Sequence, residues 1–514
     1  MYQGLLTRKY LTRKIMPLLS AVAVALCTAM VLVTWSVMGG FLNTLLTSGR
    51  AMMGDVKIEV SGVGFPYYND LIERLEAHPD LVAAAPAVEW FGQIGLPYGR
   101  VAQAAVWGVD PERYARVTHY SDALHWRPID TPTRRDTEGA DPRLGPASEY
   151  FTGPGVRSWD SVLQRGLSLT AIDERTNEPV PGIALGIRLS GQSRPRPGWY
   201  EPTSRFAEDF LPFGGRVTLV VLPSDSQGRM IEPRARIVQV VNEIQSGIAQ
   251  VDGQTAITRI DLMQDLLGMR GGERVIEPGG FRVDVDPVTG EERFFAPVTV
   301  SEPSRVTTVF VRGRDGISLD KIVAATREAT EAFIHANSSR PQGGLLRYLT
   351  LATWEEINAQ FVAAVKKEIG LVLFLFSFIS LTAVFLVWSI FWSMVNEKTK
   401  DIGILRAIGA SRRGVAWLWL RYALSIGVVG SALGLAISYL IVRNINEIHD
   451  WMDTALGLSI WDPSIYLFAK IPDEVDPLHA AVVGLGGVLA AVFGAMVPAI
   501  RAARMDPVRA LRFE

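Results

Sequence analysis

The sequence predicts a polytopic α-helical membrane protein with four transmembrane helices and a large α+β extracytoplasmic domain. Three observations predict it. Four apolar runs, Ile15–Gly40, Ile369–Val395, Tyr422–Val442 and Pro477–Ile500, carry no Asp, Glu, Lys or Arg. A helix needs about twenty such residues to cross a bilayer. Four crossings put three basic segments on one side: Arg8, Lys9, Arg13 and Lys14; Lys398, Lys400, Arg406, Arg412 and Arg413; Arg501, Arg504, Arg509 and Arg512. Short loops rich in Lys and Arg stay cytoplasmic. Between the first two spans lies a long segment that mixes period-two and helical patterns.

Taken in order, residues 1–14 are a cytoplasmic N-terminus and 15–40 the first span. The basic start followed by an apolar run also suits a signal peptide. The run is longer than a signal core, however, and ends in Gly39-Gly40-Phe41 rather than a small-x-small site. Cys27 is the single cysteine, preceded by bulky Leu26 where a lipid-attachment site has a small residue. We therefore expect an uncleaved span, and no disulfide within the chain.

Residues 41–367 form the extracytoplasmic domain. Phe41, Leu42, Leu45, Leu46 and Met52 extend the first helix outward. Val56–Val60 alternates as a half-buried strand, and Asn69–His78 is helical, with Leu71, Ile72 and Leu75 at core spacing. Arg216–Leu222, Arg236–Val241 and Arg305–Val311 read as strands and Leu319–Ala336 as a helix. Arg127–Arg157 and Gly271–Ser304, rich in Pro and Gly, read as long surface loops, the second with a hairpin tip at Asp286–Glu291. A helical stem opening at Thr353-Trp354-Glu355-Glu356 leads into the second span, 369–395.

The stretch 396–414 separates the second span from the third, 415–442. Ile402, Leu405 and Ile408 recur three apart, near one helical face. Gly409 stands where a helix end favours glycine, and Ser411 can start the next helix. This is a short amphipathic helix under the membrane, with nothing obvious in the chain to bury its apolar face. It is either a docking helix for a cytoplasmic partner or a helix resting on lipid headgroups. An acidic outer loop (443–476), the last span (477–500) and a cytoplasmic tail (501–514) complete the chain. Gly430 and Gly434 in the third span, and Gly486, Ala490 and Gly494 in the last, are spaced for close helix approach, within the chain or between copies.

Several function classes are disfavoured. The spans lack the buried ionisable groups that an ion pathway needs. The net charge of −2 implies no polyanion partner. The sequence has no G-x-x-x-x-G-K-[ST] loop, His-x-x-x-His, Cys-x-x-Cys or Gly-x-Ser-x-Gly pattern. His119 and His125 lack a companion at ligand spacing and read as surface histidines. We expect no metal and no catalysis in this chain, so energy for any work must come from a partner.

The stretch EKTKDIGILRAIGAS and the tail PAIRAARMDPVRALRFE resemble the coupling segment and C-terminal signature of the MacB/FtsX/Lol superfamily of ABC transporter permeases. The resemblance is strongest to the lipoprotein-releasing LolC/LolE type. It is carried also by Ser36–Phe41, Trp354–Asn358, Pro181–Gly186, Ser246-Gly247 and Trp451–Pro472. It implies a type VII ABC permease fold in the inner membrane, with both termini cytoplasmic and the large domain in the periplasm. Two such chains, identical or homologous, would join two separate ATPase subunits, which would bind ATP and Mg. Coupling would run through Glu397, Lys398, Asp401, Ile402, Leu405, Arg406, Ile408 and Gly409. A lipoprotein or other lipid-linked cargo would enter sideways between the first two spans, near Val31 and Phe376, and a periplasmic carrier could receive it. Alternatives are a MacB-like efflux or mechanotransmission permease and an FtsX-like regulator of cell-wall hydrolases.

Overall fold

The computed structural model describes residues 15–60, 62–129, 141–145, 158–173, 176–196, 199–202, 215–223, 231–277, 283–285, 292–294, 298–457 and 471–511. These form two compact units, divided after Thr44 and before Gln360.

The first helix, α1, runs from Ile15 to Met53, so the apolar run and its amphipathic continuation are one element. The outer unit is built on a mixed sheet. Its principal strands are β1 (Val56–Glu59), β2 (Leu81–Gly95), β3 (Val101–Val109), β4 (Pro179–Gly186), β5 (Arg216–Val221), β6 (Arg234–Ile244) and β7 (Thr255–Arg259). Strand β2 is 15 residues long and changes partner along its length. Its first half pairs with a later strand, Thr308–Gly313, which in turn pairs β1. Its second half pairs both β3 and β5. The pairings β2–β3–β7–β4–β6–β5–β2 therefore close a six-stranded barrel. Ile94, Val106, Leu185, Leu219, Val240 and Ala256 are buried in one core with residues of the open sheet. Helix α2 (Tyr68–Glu76) covers the open part, and Leu71, Ile72 and Leu75 are all buried as their spacing predicts. Gly108 lies directly beneath Met263, where a Cβ would meet the methionine side chain at 2.5 Å.

Three expectations for this unit change. Strand β1 is central rather than half-buried. Lys57 is 8% exposed, and its ammonium lies 2.6 Å from Glu59 and 2.7 Å from Glu89. A polar residue in an alternating strand can thus be buried once carboxylates face it. The described parts of Gly271–Ser304 are paired strands rather than loop: β8 (Gly272–Glu277) pairs β11 (Val298–Glu302), and β9 (Val283–Val285) pairs β10 (Glu292–Phe294). The tip at 286–291 lies outside the described residues. Strand pairing satisfies backbone groups whatever the side chains, so Pro and Gly content misled the reading. His125 is not a surface group but is 2% exposed, whereas His119 is exposed beside Asp122 at 3.6 Å.

His125 belongs to a buried polar cluster around Glu243 of β6. The Glu243 carboxylate accepts hydrogen bonds from Ser190 (2.5 Å), Ser193 (2.6 Å) and the Trp126 indole (3.0 Å). Burial among these neutral donors pushes its carboxyl up to about 7. Burial, aided by the nearby Arg143 guanidinium, pushes His125 down to about 3. Within the predicted loop 127–157, Asp141–Gly145 packs into this cluster. Arg143 pairs with Asp141 at 2.6 Å, and the Trp159 indole donates to the Gly145 carbonyl. The rest of that loop, from 130 to 140 and from 146 to 157, lies outside the described residues.

The outer unit continues through β12 (Thr308–Gly313), α3 (Leu319–Asn337) and β13 (Thr350–Thr353). Thr353 and Glu356 form a reciprocal cap that starts the stem. After Asn358 the chain enters α4 (Ala359–Glu397). There follow α5 (Thr399–Ala407), α6 (Arg412–Arg443), α7 (Ile445–Leu456), α8 (Pro477–Arg504) and α9 (Pro507–Leu511). The acidic outer loop thus holds a helix, and Asn446 clamps the Ile471 backbone through two 2.9 Å bonds. Among the described residues, α1, α4, α6 and α8 are long and apolar enough to cross a membrane.

Candidate functional site

The short helix α5 is positioned by local chemistry. The Thr399 hydroxyl donates to the Asn396 carbonyl at 2.7 Å, tightening the bend after α4. Lys398 pairs with Asp401 at 2.7 Å across the first turn. Gly409 has φ +106°, a conformation that side chains rarely adopt, and ends the helix. The Ser411 hydroxyl accepts from the Gly414 N–H and caps α6. Arg406 donates to the Ala410 carbonyl at 2.9 Å and holds the turn between the two helices.

The three residues read as one apolar face divide in two. Ile402 is buried with Val395, Val415, Ala502 and Ala503. Leu405 and Ile408 are 43% and 80% exposed, and Ile404, which the spacing did not single out, is 48% exposed. The correction follows from helix geometry. A step of three advances about 300°, so residues 402 and 408 stand about 120° apart. Ile404, Leu405 and Ile408 share the free face instead. Ile402 anchors the helix to the ends of its neighbours. Val508 of α9, the short helix that packs against α5, is also exposed, at 64%.

Glycines set the helix packing. A Cβ at Gly430 would meet the Ala21 carbonyl at 2.8 Å, and one at Gly434 the Ala25 carbonyl at 2.5 Å, so α6 approaches the backbone of α1. Gly494 meets the Val384 carbonyl of α4 in the same way, at 2.8 Å. Gly486 contacts nothing within 4 Å and Ala490 is only half-buried. Steps of four drift about 40° each around a helix, which takes Gly486 off the face that Gly494 occupies. The buried row of α8 is Val483, Gly484, Ala491, Gly494, Ala495 and Pro498.

Helices α1 and α4 run antiparallel: Ala21 and Val24 share a cluster with Val387, Phe391 and Met394. Cys27 and Ser380 lie 3.5 Å apart. Val31 and Phe376, each half-buried, stand one turn outward of that contact on their respective helices. Beside it one face of α4 is open: Phe374, Leu375, Phe378 and Leu381 are each at least half exposed, whereas Val362 and Val365 near the start of the helix are buried.

These features define a class: a membrane protein whose apolar spans frame a short amphipathic helix with one anchored and one free face. Residues 373–507 match the FtsX-like permease C-terminal family. The chain is 26% identical over 164 residues to the lipoprotein-releasing system transmembrane protein LolC of Xylella fastidiosa, covering 32% of this chain and 40% of the relative. It is 23% identical over 117 residues to LolE of Haemophilus influenzae, covering 23% and 28%. It is 30% identical over 120 residues to the macrolide export ATP-binding/permease protein MacB of Escherichia coli, covering 23% and 16%. Residues 373–507 thus carry an FtsX-like permease domain, and the proteins the chain resembles are the LolC/LolE and MacB permeases. The matched stretches span less than half the length of these relatives.

Proposed function

We propose that this chain is the permease subunit of an ABC transporter in the inner membrane, with its large domain in the periplasm. In this reading it couples ATP hydrolysis by a separate subunit to extracytoplasmic movements that release lipoproteins or other lipid-linked cargo. The observation that carries the reading is the split character of α5. Ile402 fixes the helix to the chain's own core, while Ile404, Leu405 and Ile408 offer an apolar surface at a cytoplasmic turn. A push on that surface passes to the helix ends through Val395, Val415 and Ala502. ATP and Mg belong to the ATPase in this scheme. The lipid-linked cargo is supported by the names of the LolC and LolE relatives and by the exposed Phe374, Leu375 and Phe378 of α4 near Val31 and Phe376. Acyl chains leave lipid at little cost only for a similarly apolar surface. A second permease chain would face the same uncovered helix.

Gentle detergent purification of the tagged chain, with mass spectrometry of what is retained, tests the reading. An ATPase subunit together with acylated proteins is expected. Retention of an ATPase with a periplasmic adaptor and no acylated protein favours MacB-like efflux, the second reading that the MacB match supports. Retention of a wall hydrolase instead favours FtsX-like regulation. A folded sample without any ATPase overturns the coupling role of α5.

A further inference from the structure

Near the middle of the membrane unit, three helices meet at polar atoms. Thr28 of α1 and Ser431 of α6 are each 3% exposed, and neither hydroxyl has a hydrogen-bond partner among the described residues. Both point at Gly487 of α8: a Cβ there would stand 2.5 Å from each hydroxyl oxygen. We propose that Thr28, Ser431 and Gly487 form a binding site for one water molecule, which bridges the two hydroxyls at the crossing of the three helices.

Three arguments carry this. First, two other hydroxyls of the same helices are satisfied locally, although buried Ser36 of α1 is not. Ser20 donates to the Met16 carbonyl and Ser438 to the Leu435 carbonyl. That is the usual solution where no bulk water reaches. Thr28 and Ser431 instead direct their oxygens away from their own helices and toward each other's side of the notch. Second, Gly487 is unlike the other packing glycines. At Gly430, Gly434 and Gly494 a Cβ would strike a backbone carbonyl, so glycine there permits helix contact. At Gly487 the nearest atoms are the two hydroxyl oxygens, so glycine there leaves room for polar atoms. Third, the two oxygens are separated by no more than twice their distance to that point, yet they do not bond directly. One water, with bonds of about 2.8 Å to each, spans such a gap. Leaving both hydroxyls unpaired in an apolar interior is costly, which disfavours a dry notch. No charged residue lies in the middle of these three spans, so an ion is disfavoured as the occupant.

The test uses the full chain in lipid nanodiscs. A density map fine enough to show ordered water is expected to place a peak within about 3 Å of both hydroxyl oxygens. Thr28→Val and Ser431→Ala are each expected to lower the thermal midpoint. The double variant should fall no further than the worse single one, because either change already breaks the bridge. Thr28→Ser, which keeps the hydroxyl, should restore the midpoint. The proposal is overturned by a map showing the hydroxyls bonded directly with no peak between them. It is also overturned if the two single losses simply add, or if Thr28→Val and Ser431→Ala leave the midpoint unchanged.

Discussion

Helices α4 and α6 are both long apolar spans, yet they pack in opposite ways. None of the most apolar stretch of α4 is buried in the chain, whereas 39% of the corresponding stretch of α6 is. Hydrophobicity does not order them, since lipid is as apolar as leucine and offers no reason to bury one span over another. Side-chain size does. The buried face of α6 carries Gly427, Gly430, Ser431, Gly434 and Ser438, which let it meet α1 and α8 closely. The middle of α4 carries Phe374, Leu375, Phe378 and Leu381, which hold neighbours off. The lesson is that in this unit small residues mark what the chain keeps for itself. Large ones, outside the buried cluster around Phe391, mark the face that the chain leaves open.

The sharpest way to break that comparison is Gly434→Leu. With the Ala25 carbonyl already 2.5 Å from an added Cβ, the larger side chain must part α6 from α1. We expect loss of the monodisperse peak in fluorescence-detected size exclusion, whereas Phe378→Ala on α4 should leave that peak in place.

The same contrast operates within α5. Ile402→Glu buries an unpaired charge, and both thermal stability and any stimulated ATPase activity should collapse. Leu405→Glu alters only the free face. We expect it to keep the melting midpoint while lowering stimulated ATPase activity in the reconstituted assembly at least about tenfold, as loss of an interface anchor does. A fall in midpoint for Leu405→Glu would show that this face is covered within the chain.

A smaller effect comes from the outer unit, where burial is of a carboxyl group rather than of small residues. The Glu243 carboxyl is held at about 7 against an ordinary value of 4.5, so the folded state keeps a proton that the unfolded chain releases. Its contribution is fully present below about 4.5 and is lost as pH rises through about 7. His125, held at about 3, acts in the opposite direction: its contribution is complete only by about pH 7.5 and is lost as pH falls through 6.5, so it offsets part of the Glu243 slope. Asp252, raised to about 6 by burial, shares the sign of Glu243 but is nearly spent by pH 7. Between roughly pH 6.5 and 8 stability should therefore drop by less than about 1 kcal/mol. Glu243→Gln should flatten the slope in a thermal melt series, and an equally steep slope in the variant would assign it to another group.

The smallest expected effect is that of Phe378→Ala on the isolated chain, whose midpoint should match the parent. A clear loss of stability would mean that the Phe374–Leu381 face of α4 is packed after all, and the division by side-chain size would fail.

What the sequence determined by itself were the features that need only one segment. Charge-free length marked the apolar helices, Leu71, Ile72 and Leu75 marked a buried helical face, and Gly409 and Ser411 marked the end of one helix and the start of the next. Each follows from backbone geometry or from the cost of exposing a run of side chains to the wrong solvent. Tertiary structure alone decided what depends on two segments meeting. It placed Ile402 in the core and left Ile404 outside, chose Gly487 over Gly486, buried His125 beside Glu243, and closed β2 and β5 into a barrel. A residue's own spacing fixes which way it points along its element. What stands opposite it is fixed by a chain segment tens or hundreds of residues away, and no local pattern records that.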